Sequence, residues 1–261
     1  MRWSNIINEQ GSFSSIKNTV NGWIIGGYII TNNQKEAYLL EIGSTGNKIW
    51  ENTYGREKDE EIIDMIVSNN NIIAIGTSNS NPERQKDLLI LKYSREGILI
   101  FQDEYGYTSF NENPTSISRD SEGNIYISGY TTTLNEREWK GFILKINKQI
   151  ENLNSLEVDF FEILSIRALS RVEDIYVDNN KIYLIGYSVE SWPDYDIFLR
   201  VINSNNILID QRIYEGKDRE IIKSFKILSN GGFIGVGEII VENQGSFPLI
   251  MKTDKDYKIR K

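Results

Sequence analysis

The groups that could do chemistry in this chain are carboxylates, tyrosines, lysines, serines and the backbone, because its 261 residues include no histidine and no cysteine. That composition excludes a Ser-His-Asp or Cys-His apparatus, an imidazole proton shuttle and a His-ligated metal. It also excludes disulfides, thiolate chemistry and the usual structural zinc sites. The most regular polar groups fall in two rows. Ser15, Asp64, Ser116, Asp174 and Ser224 share one recurring position, and Gly11, Glu60, Glu112, Ser170 and Glu220 stand four residues earlier. Converging carboxylates can bind a cation such as calcium, or serve as the acid and base of a glycosidase. Asp64, Asp174 and Glu60 would carry that second chemistry. A position where Ser alternates with Asp is equally explained by small polar side chains that hydrogen-bond strand ends and turns. No EF-hand or nonapeptide calcium spacing accompanies the rows, and neither a metal site nor a cofactor is expected.

The elements that position these rows are repeats. Five apolar runs end in a glycine: GWIIGGY (22–28), NIIAIGT (71–77), NIYISGY (124–130), KIYLIGY (181–187) and GFIGVGE (232–238). Their shared glycines, Gly27, Gly76, Gly129, Gly186 and Gly237, are spaced 49, 53, 57 and 51 residues apart. That is the length of a four-stranded propeller blade. Each repeat reads as four strands, A to D. Strand A precedes a turn rich in Asn and Gly, and B ends at the shared glycine. Strand C reads EAYLLEI (36–42), DLLILKY (87–93), KGFILKI (140–146), YDIFLRV (195–201) and FPLIMKT (247–253), and D is clearest in KIWENTYG (48–55) and ILIFQDEYG (98–106). Val, Ile, Tyr and Phe fill the runs while Gly, Asn and Asp punctuate them, as strands and tight turns require.

The fifth repeat stops where its D strand should begin. Trp3 matches Trp50 and Ile7 matches Tyr54, so residues 2–8 are expected to complete the last blade. Pairing the first and last segments in one blade removes exposed sheet edges. The fold expected is all-β: one closed five-bladed β-propeller domain over residues 1–261.

The run VNGWIIGGYII…EAYLLEIGSTGNKIWENTYGREKDEEIIDMIV resembles the SBBP-type, or "DGGYI", propeller repeats of bacteria and archaea. Strand B, the turn after strand C and the Trp…Tyr-Gly ending carry the resemblance, which covers nearly the whole chain. Repeat three departs from it after Ile146. The resemblance implies the fold and an exported or surface setting, and brings no catalytic motif. From Asp159 to Asp174 repeat three has 15 residues where Gly55 to Asp64 has nine. The extra residues include Phe160, Phe161, Ile163, Leu164 and Ile166, which would pack under the rim or form an exposed patch. EILSIRALSRV allows a short helix there.

Function tends to sit on variable loops held by a rigid scaffold. The B–C and D–A connections read as the longer, more varied ones, and their aromatic and arginine residues are Tyr107, Phe110, Trp139, Trp192, Tyr195, Arg84 and Arg137. Aromatics and Arg dominate binding hot spots, and an aromatic platform also stacks on a sugar. The plainer role for Trp139 and Trp192 is to cover blade edges. The B–C loops have little in common, which argues for one asymmetric site and against a sugar site repeated in each blade.

With 29 basic and 37 acidic side chains, a net charge of −8 argues against nucleic acid or an anionic membrane as partner. No run approaches the ~18 apolar residues of a membrane-spanning helix. The start, MRWSNIINEQGS, lacks a signal-peptide core, so the setting is cytoplasmic unless a signal was removed, in which case it is extracellular or the cell surface. The function expected is a monomeric, non-enzymatic scaffold binding a protein or glycan through its loop-rich face. A carbohydrate-active enzyme using the Asp64, Asp174 and Glu60 carboxylates is the alternative.

Overall fold

The computed structural model describes residues 9–68, 71–135, 137–147, 157–178 and 180–259. Its secondary structure there is all β. The first sheet holds β1 (Gly11–Asn18), β2 (Gly22–Thr31), β3 (Gln34–Gly43) and β4 (Lys48–Tyr54). The second holds β5 (Glu60–Val67), β6 (Asn71–Ser78), β7 (Asp87–Ser94) and β8 (Leu99–Tyr105). The third holds β9 (Phe110–Arg119), β10 (Ile125–Thr133), β11 (Trp139–Ile146) and β12 (Val158–Ile163). The fourth holds β13 (Leu169–Asp178), β14 (Lys181–Val189), β15 (Asp196–Asn203) and β16 (Leu208–Tyr214). The fifth has three strands among the described residues, β17 (Arg219–Ile227), β18 (Phe233–Val241) and β19 (Gly245–Lys252). Strands A to D of the sequence pattern thus run in order across the first four sheets, and A to C across the fifth. Residues 2–8, with Trp3 and Ile7, lie outside the described residues.

Two compact units are present: Met1–Ser116 with Thr132–Glu136 and Gln149–Glu157, and Ile117–Thr131 with Arg137–Lys148 and Val158–Lys261. In the first unit, Ile24, Ala37 and Leu39 of sheet one pack with Ile62, Met65, Leu89 and Leu91 of sheet two. In the second, Ile185, Leu199 and Val201 of sheet four pack with Ile222, Phe225, Phe233 and Met251 of sheet five. Alternate residues of each strand face a neighbouring sheet, as the two-residue side-chain period of a strand dictates.

The shared glycine has a steric cause. At Gly27, Gly76, Gly186 and Gly237 a Cβ would collide with a strand-A carbonyl oxygen, that of Ser12, Glu61, Arg171 and Ile221 respectively. Just beyond, each A strand carries a bulge, where register shifts between Phe13 and Ser15, Ile62 and Asp64, Val172 and Asp174, and Ile222 and Ser224. A bulge adds a residue, bends the strand and brings its backbone close to the partner. Only a residue without a side chain tolerates that approach.

The recurring polar residue follows the bulge and links one A strand to the next. In the first unit Ser15 Oγ donates to Asp64 Oδ1 at 2.7 Å and Ser116 Oγ to Asp64 Oδ2 at 3.4 Å. In the second, Ser224 Oγ and the Phe225 N–H donate to Asp174 Oδ2 at 2.8 and 3.2 Å.

Repeat three corrects the sequence reading. The segment expected to allow a short helix, 162–172, instead holds the end of β12, which pairs with β11 as an ordinary D strand, then five connecting residues and the start of β13. The connection 55–59 between β4 and β5 has the same length, so the added chain lies in 147–157, before β12. Strand D was hidden because Val158–Ile163 has no Trp and no Tyr-Gly ending. Leu164 is fully buried, Phe160 and Ile166 pack half-buried on the same cluster, and Ile163 is exposed.

One face of the fifth sheet is apolar and open. Val236 and Ile250 are cross-strand partners at the register position of Ile75 with Ile90 and of Ile185 with Leu199. Those four are fully buried, whereas Val236 and Ile250 are 50% and 73% exposed.

Candidate binding site

In the second unit, β11, β14 and the turn into β15 bring four aromatic side chains together. Trp139 opens β11 and meets Tyr187 of β14 edge-on, with centroids 5.6 Å apart. Tyr187 stacks on Tyr195 at 5.2 Å and 15°. Tyr195 also takes the edges of Trp139 at 6.4 Å and Trp192 at 5.6 Å. Offset and edge-on pairs of this kind hold their rings in fixed orientation. Trp139, Tyr187 and Tyr195 are buried or half-buried, and Trp192 projects with 68% exposure. Arg219 places its guanidinium 5.7 Å from the Trp192 centroid and 5.8 Å from that of Tyr195, within cation–π reach of both.

Beside Trp192 lies an open pocket of about 380 Å³, lined by Pro193, Asp194, Lys217, Asp218, Arg219 and Asn243 among others. It sets donors and acceptors of both charge signs next to an exposed indole. Lys217 and Asp218 come from the connection between β16 and β17, Arg219 opens β17, and Asn243 comes from the turn between β18 and β19. Arg137, from the loop before Trp139, is exposed.

In the first unit the remaining expected residues meet a different environment. Arg84 donates through Nη1 to the Gly106 carbonyl at 2.7 Å and through Nε pairs with Asp87 Oδ2 at 2.9 Å. Tyr107 is 45% exposed and its hydroxyl lies 3.0 Å from that of Tyr105. Phe110 is half-buried, and its N–H donates to the Tyr107 carbonyl at 3.2 Å. An open pocket of about 300 Å³ adjoins them, lined by Tyr54, Arg56, Arg84, Gln102, Asp103 and Glu104. Its Arg56 is held by Glu104 at 2.7 Å.

The carboxylates of the enzyme alternative are tied into the scaffold. Glu60 is fully buried; its Oε1 accepts from Ser80 Oγ at 2.5 Å and Ser78 Oγ at 3.0 Å, and its Oε2 from the Arg56 N–H at 2.9 Å. Asp64 is paired with Lys17 Nζ at 2.8 Å besides its serine bonds. Among the described residues no group of three or more acidic side chains is placed to hold a metal ion.

Sequence reasoning missed Arg219, Lys217 and Tyr187. Tyr187 follows the shared glycine and was read as plain strand. Arg219 and Lys217 sit where the chain enters strand A, and matching the D–A connections of the five repeats would have exposed their charge.

Comparison with known proteins agrees with this architecture. The chain is similar to a Synechocystis apocarotenoid oxygenase variant, with TM-score 0.58 and 9% identity over 95% of this chain and 61% of that one. It is similar to the lignostilbene dioxygenase of Pseudomonas brassicacearum, with TM-score 0.55 and 8% identity over 94% and 61%. It is also similar to an endo-arabinase from Bacteroides thetaiotaomicron, with TM-score 0.52 and 14% identity over 96% of both chains. The chain spans about three fifths of the length of the two oxygenases, and at these identities the likeness is one of fold. No curated protein matches the sequence. Five successive sheets of antiparallel strands make this a β-propeller protein. Residues 107–134 match the family model for the SBBP beta-propeller repeat.

Proposed function

We propose that this protein is a non-enzymatic propeller scaffold that binds a glycan at Trp192. The observation that carries the reading is the exposed Trp192 indole next to a pocket whose lining includes Asp194, Lys217, Asp218 and Arg219. A sugar presents a flat C–H face and a rim of hydroxyls, so it needs an apolar platform with converging donors and acceptors beside it. Trp192 supplies the platform, braced by Tyr195 and Trp139. Lys217, Asp218, Asp194 and Asn243 supply the polar rim. Arg137 on the neighbouring loop extends this surface, while Arg84, Tyr107 and Phe110 have a supporting role in their own unit.

The scaffold that presents the site is proposed to be a closed five-bladed ring, its last blade completed by residues 2–8. What supports closure is the three-stranded fifth sheet, whose β19 edge would otherwise stay unpaired, and the uncovered Val236–Ile250 face. A closed scaffold of this kind is proposed to act as a monomer.

A glycosidase-like enzyme is the competing reading, and the endo-arabinase likeness is compatible with it at the level of fold. Against it stands Glu60, buried and fully occupied by Ser78, Ser80 and the Arg56 N–H. The test is a panel of soluble oligosaccharides followed by tryptophan fluorescence and calorimetry, with product analysis of each mixture. Saturable binding without cleavage, lost in Trp192→Ala, supports the proposal. Cleaved product supports the enzyme, and binding only to a protein surface would sink the glycan reading.

A further inference from the structure

Two fully buried carboxyl groups, Asp87 at the start of β7 and Glu112 near the start of β9, have no part in the proposed function. Glu112 Oε1 accepts from the Tyr107 N–H at 3.2 Å, and Asp87 Oδ2 is paired with Arg84 Nε at 2.9 Å. Glu112 Oε2 and Asp87 Oδ1 accept no hydrogen bond. Both oxygens border Gly106: a Cβ there would come within 2.6 Å of Glu112 Oε2 and closer still to Asp87 Oδ1. The two acceptors therefore face one small space.

The other groups around the pair are few. Arg84 is the cation that faces it, and Glu104 adds negative charge towards Asp87. Tyr105 and Tyr107 have their hydroxyls 3.0 Å apart, while Lys86 gives its carbonyl to the Glu112 N–H and turns its ammonium to Asn113. Two ionised carboxylates here would each keep a buried acceptor unpaired, with one guanidinium to balance both charges. One proton between the two oxygens resolves both defects, since a neutral acid donates and its neighbour accepts.

We propose that Asp87 and Glu112 share one proton beneath Gly106, and that this proton latches the turn carrying Tyr107 and Phe110 onto β7. Glu112 holds the turn through the Tyr107 N–H, and Arg84 holds it through the Gly106 carbonyl. Loss of the proton leaves two like charges facing one buried space and strains both attachments. Burial first, then the Asp87 charge, raises Glu112 to about 8, and burial raises Asp87 as well.

A related carboxyl pair stands in the second unit, Asp196 and Glu220 beside Gly216, although both Asp196 oxygens there have partners. Glu220 Oε2 has no partner, a Cβ on Gly216 would collide with the Glu220 carboxylate, and burial raises Glu220 to about 7. Around that pair, Arg167 binds Asp196, the Gly216 N–H donates to Asp196 Oδ1 at 3.2 Å, and Asp218 adds negative charge. A chain without histidine thereby gains groups that titrate near neutrality. The latch does not depend on the glycan reading.

A carboxyl whose folded value lies above its unfolded one gives stability that is complete below the unfolded value and is lost as pH rises through the folded one. For Glu112 that window runs from 4.5 to about 8. The test is urea unfolding of the wild type and Glu112→Gln across this range, with 13C-carboxyl NMR of the wild type and amide exchange at Tyr107. Glutamine can accept from the Tyr107 N–H and donate to Asp87, so it mimics the protonated pair. The wild type should lose stability relative to Glu112→Gln as pH rises, and the difference isolates Glu112 because Glu220 titrates in both. Tyr107 exchange should accelerate above pH 8 more in the wild type than in the variant. A Glu112 resonance that titrates near 4.5 would overturn the shared proton, even if the variant fails to fold. Equal Tyr107 exchange in the two proteins would overturn the latch.

Discussion

The two aromatic regions of this protein are built from the same repeat yet turn their chemistry in opposite directions. In the second unit Trp192 projects from a braced cluster beside a pocket edged by charged side chains. In the first, Arg84 spends two of its nitrogens on Gly106 and Asp87, and the turn bearing Tyr107 is tied down by Glu112. An arginine committed to internal acceptors has little left for a ligand, whereas an indole exposed over most of its surface still offers ring area beside its Arg219 and Tyr195 contacts. Hot-spot residue types therefore mark a site only where the scaffold leaves their polar ends and ring faces uncommitted.

Substitutions can break or sharpen this contrast. The largest effect is expected at Trp192, where Trp192→Ala should weaken glycan binding by tenfold or more, about 1.4 kcal/mol at least, with unchanged unfolding. Calorimetry checks this, and retained affinity would place the site elsewhere. Next comes Gly106→Ala, which drives a methyl group into both carboxyls and should cost about 1–3 kcal/mol in urea unfolding. A neutral result would mean that the turn yields freely. Glu60→Gln should follow, costing about 1–2 kcal/mol because its amide confronts donors from Ser78, Ser80 or Arg56. Its sign at alkaline pH should be opposite to that of Glu112→Gln, since Glu60 meets donors where Glu112 meets an acceptor. The smallest effect is expected for Tyr107→Ala, below about twofold in glycan affinity. A larger loss there would join the two regions into one binding surface.

The glycine spacing carried most of the fold because it records a steric necessity, the approach of a bulged strand A to strand B. Asp64 and Asp174 were likewise visible as a row, and their serine partners in neighbouring A strands explain why Ser alternates with Asp. Strand D of repeat three was not legible, because Val158–Ile163 keeps the pairing geometry while dropping the residues that mark it. The Asp87–Glu112 pair was invisible for another reason. Its members come from separate strands of two sheets, and Asp87 by itself reads as an ordinary polar strand start. Burial without a donor is a property of the folded arrangement, and no spacing encodes it. At the aromatic loops the residue types were legible but their commitments were not.

The most direct measurement is an NMR titration of the indole N–H resonances with the oligosaccharide that binds best in the panel. The Trp192 resonance should shift with a saturable profile, followed by Trp139, while Trp50 stays fixed because its Nε1 is bound to Glu41 at 2.6 Å and to the Arg95 carbonyl at 3.2 Å. Saturable binding that leaves Trp192 and Trp139 unshifted would contradict the account.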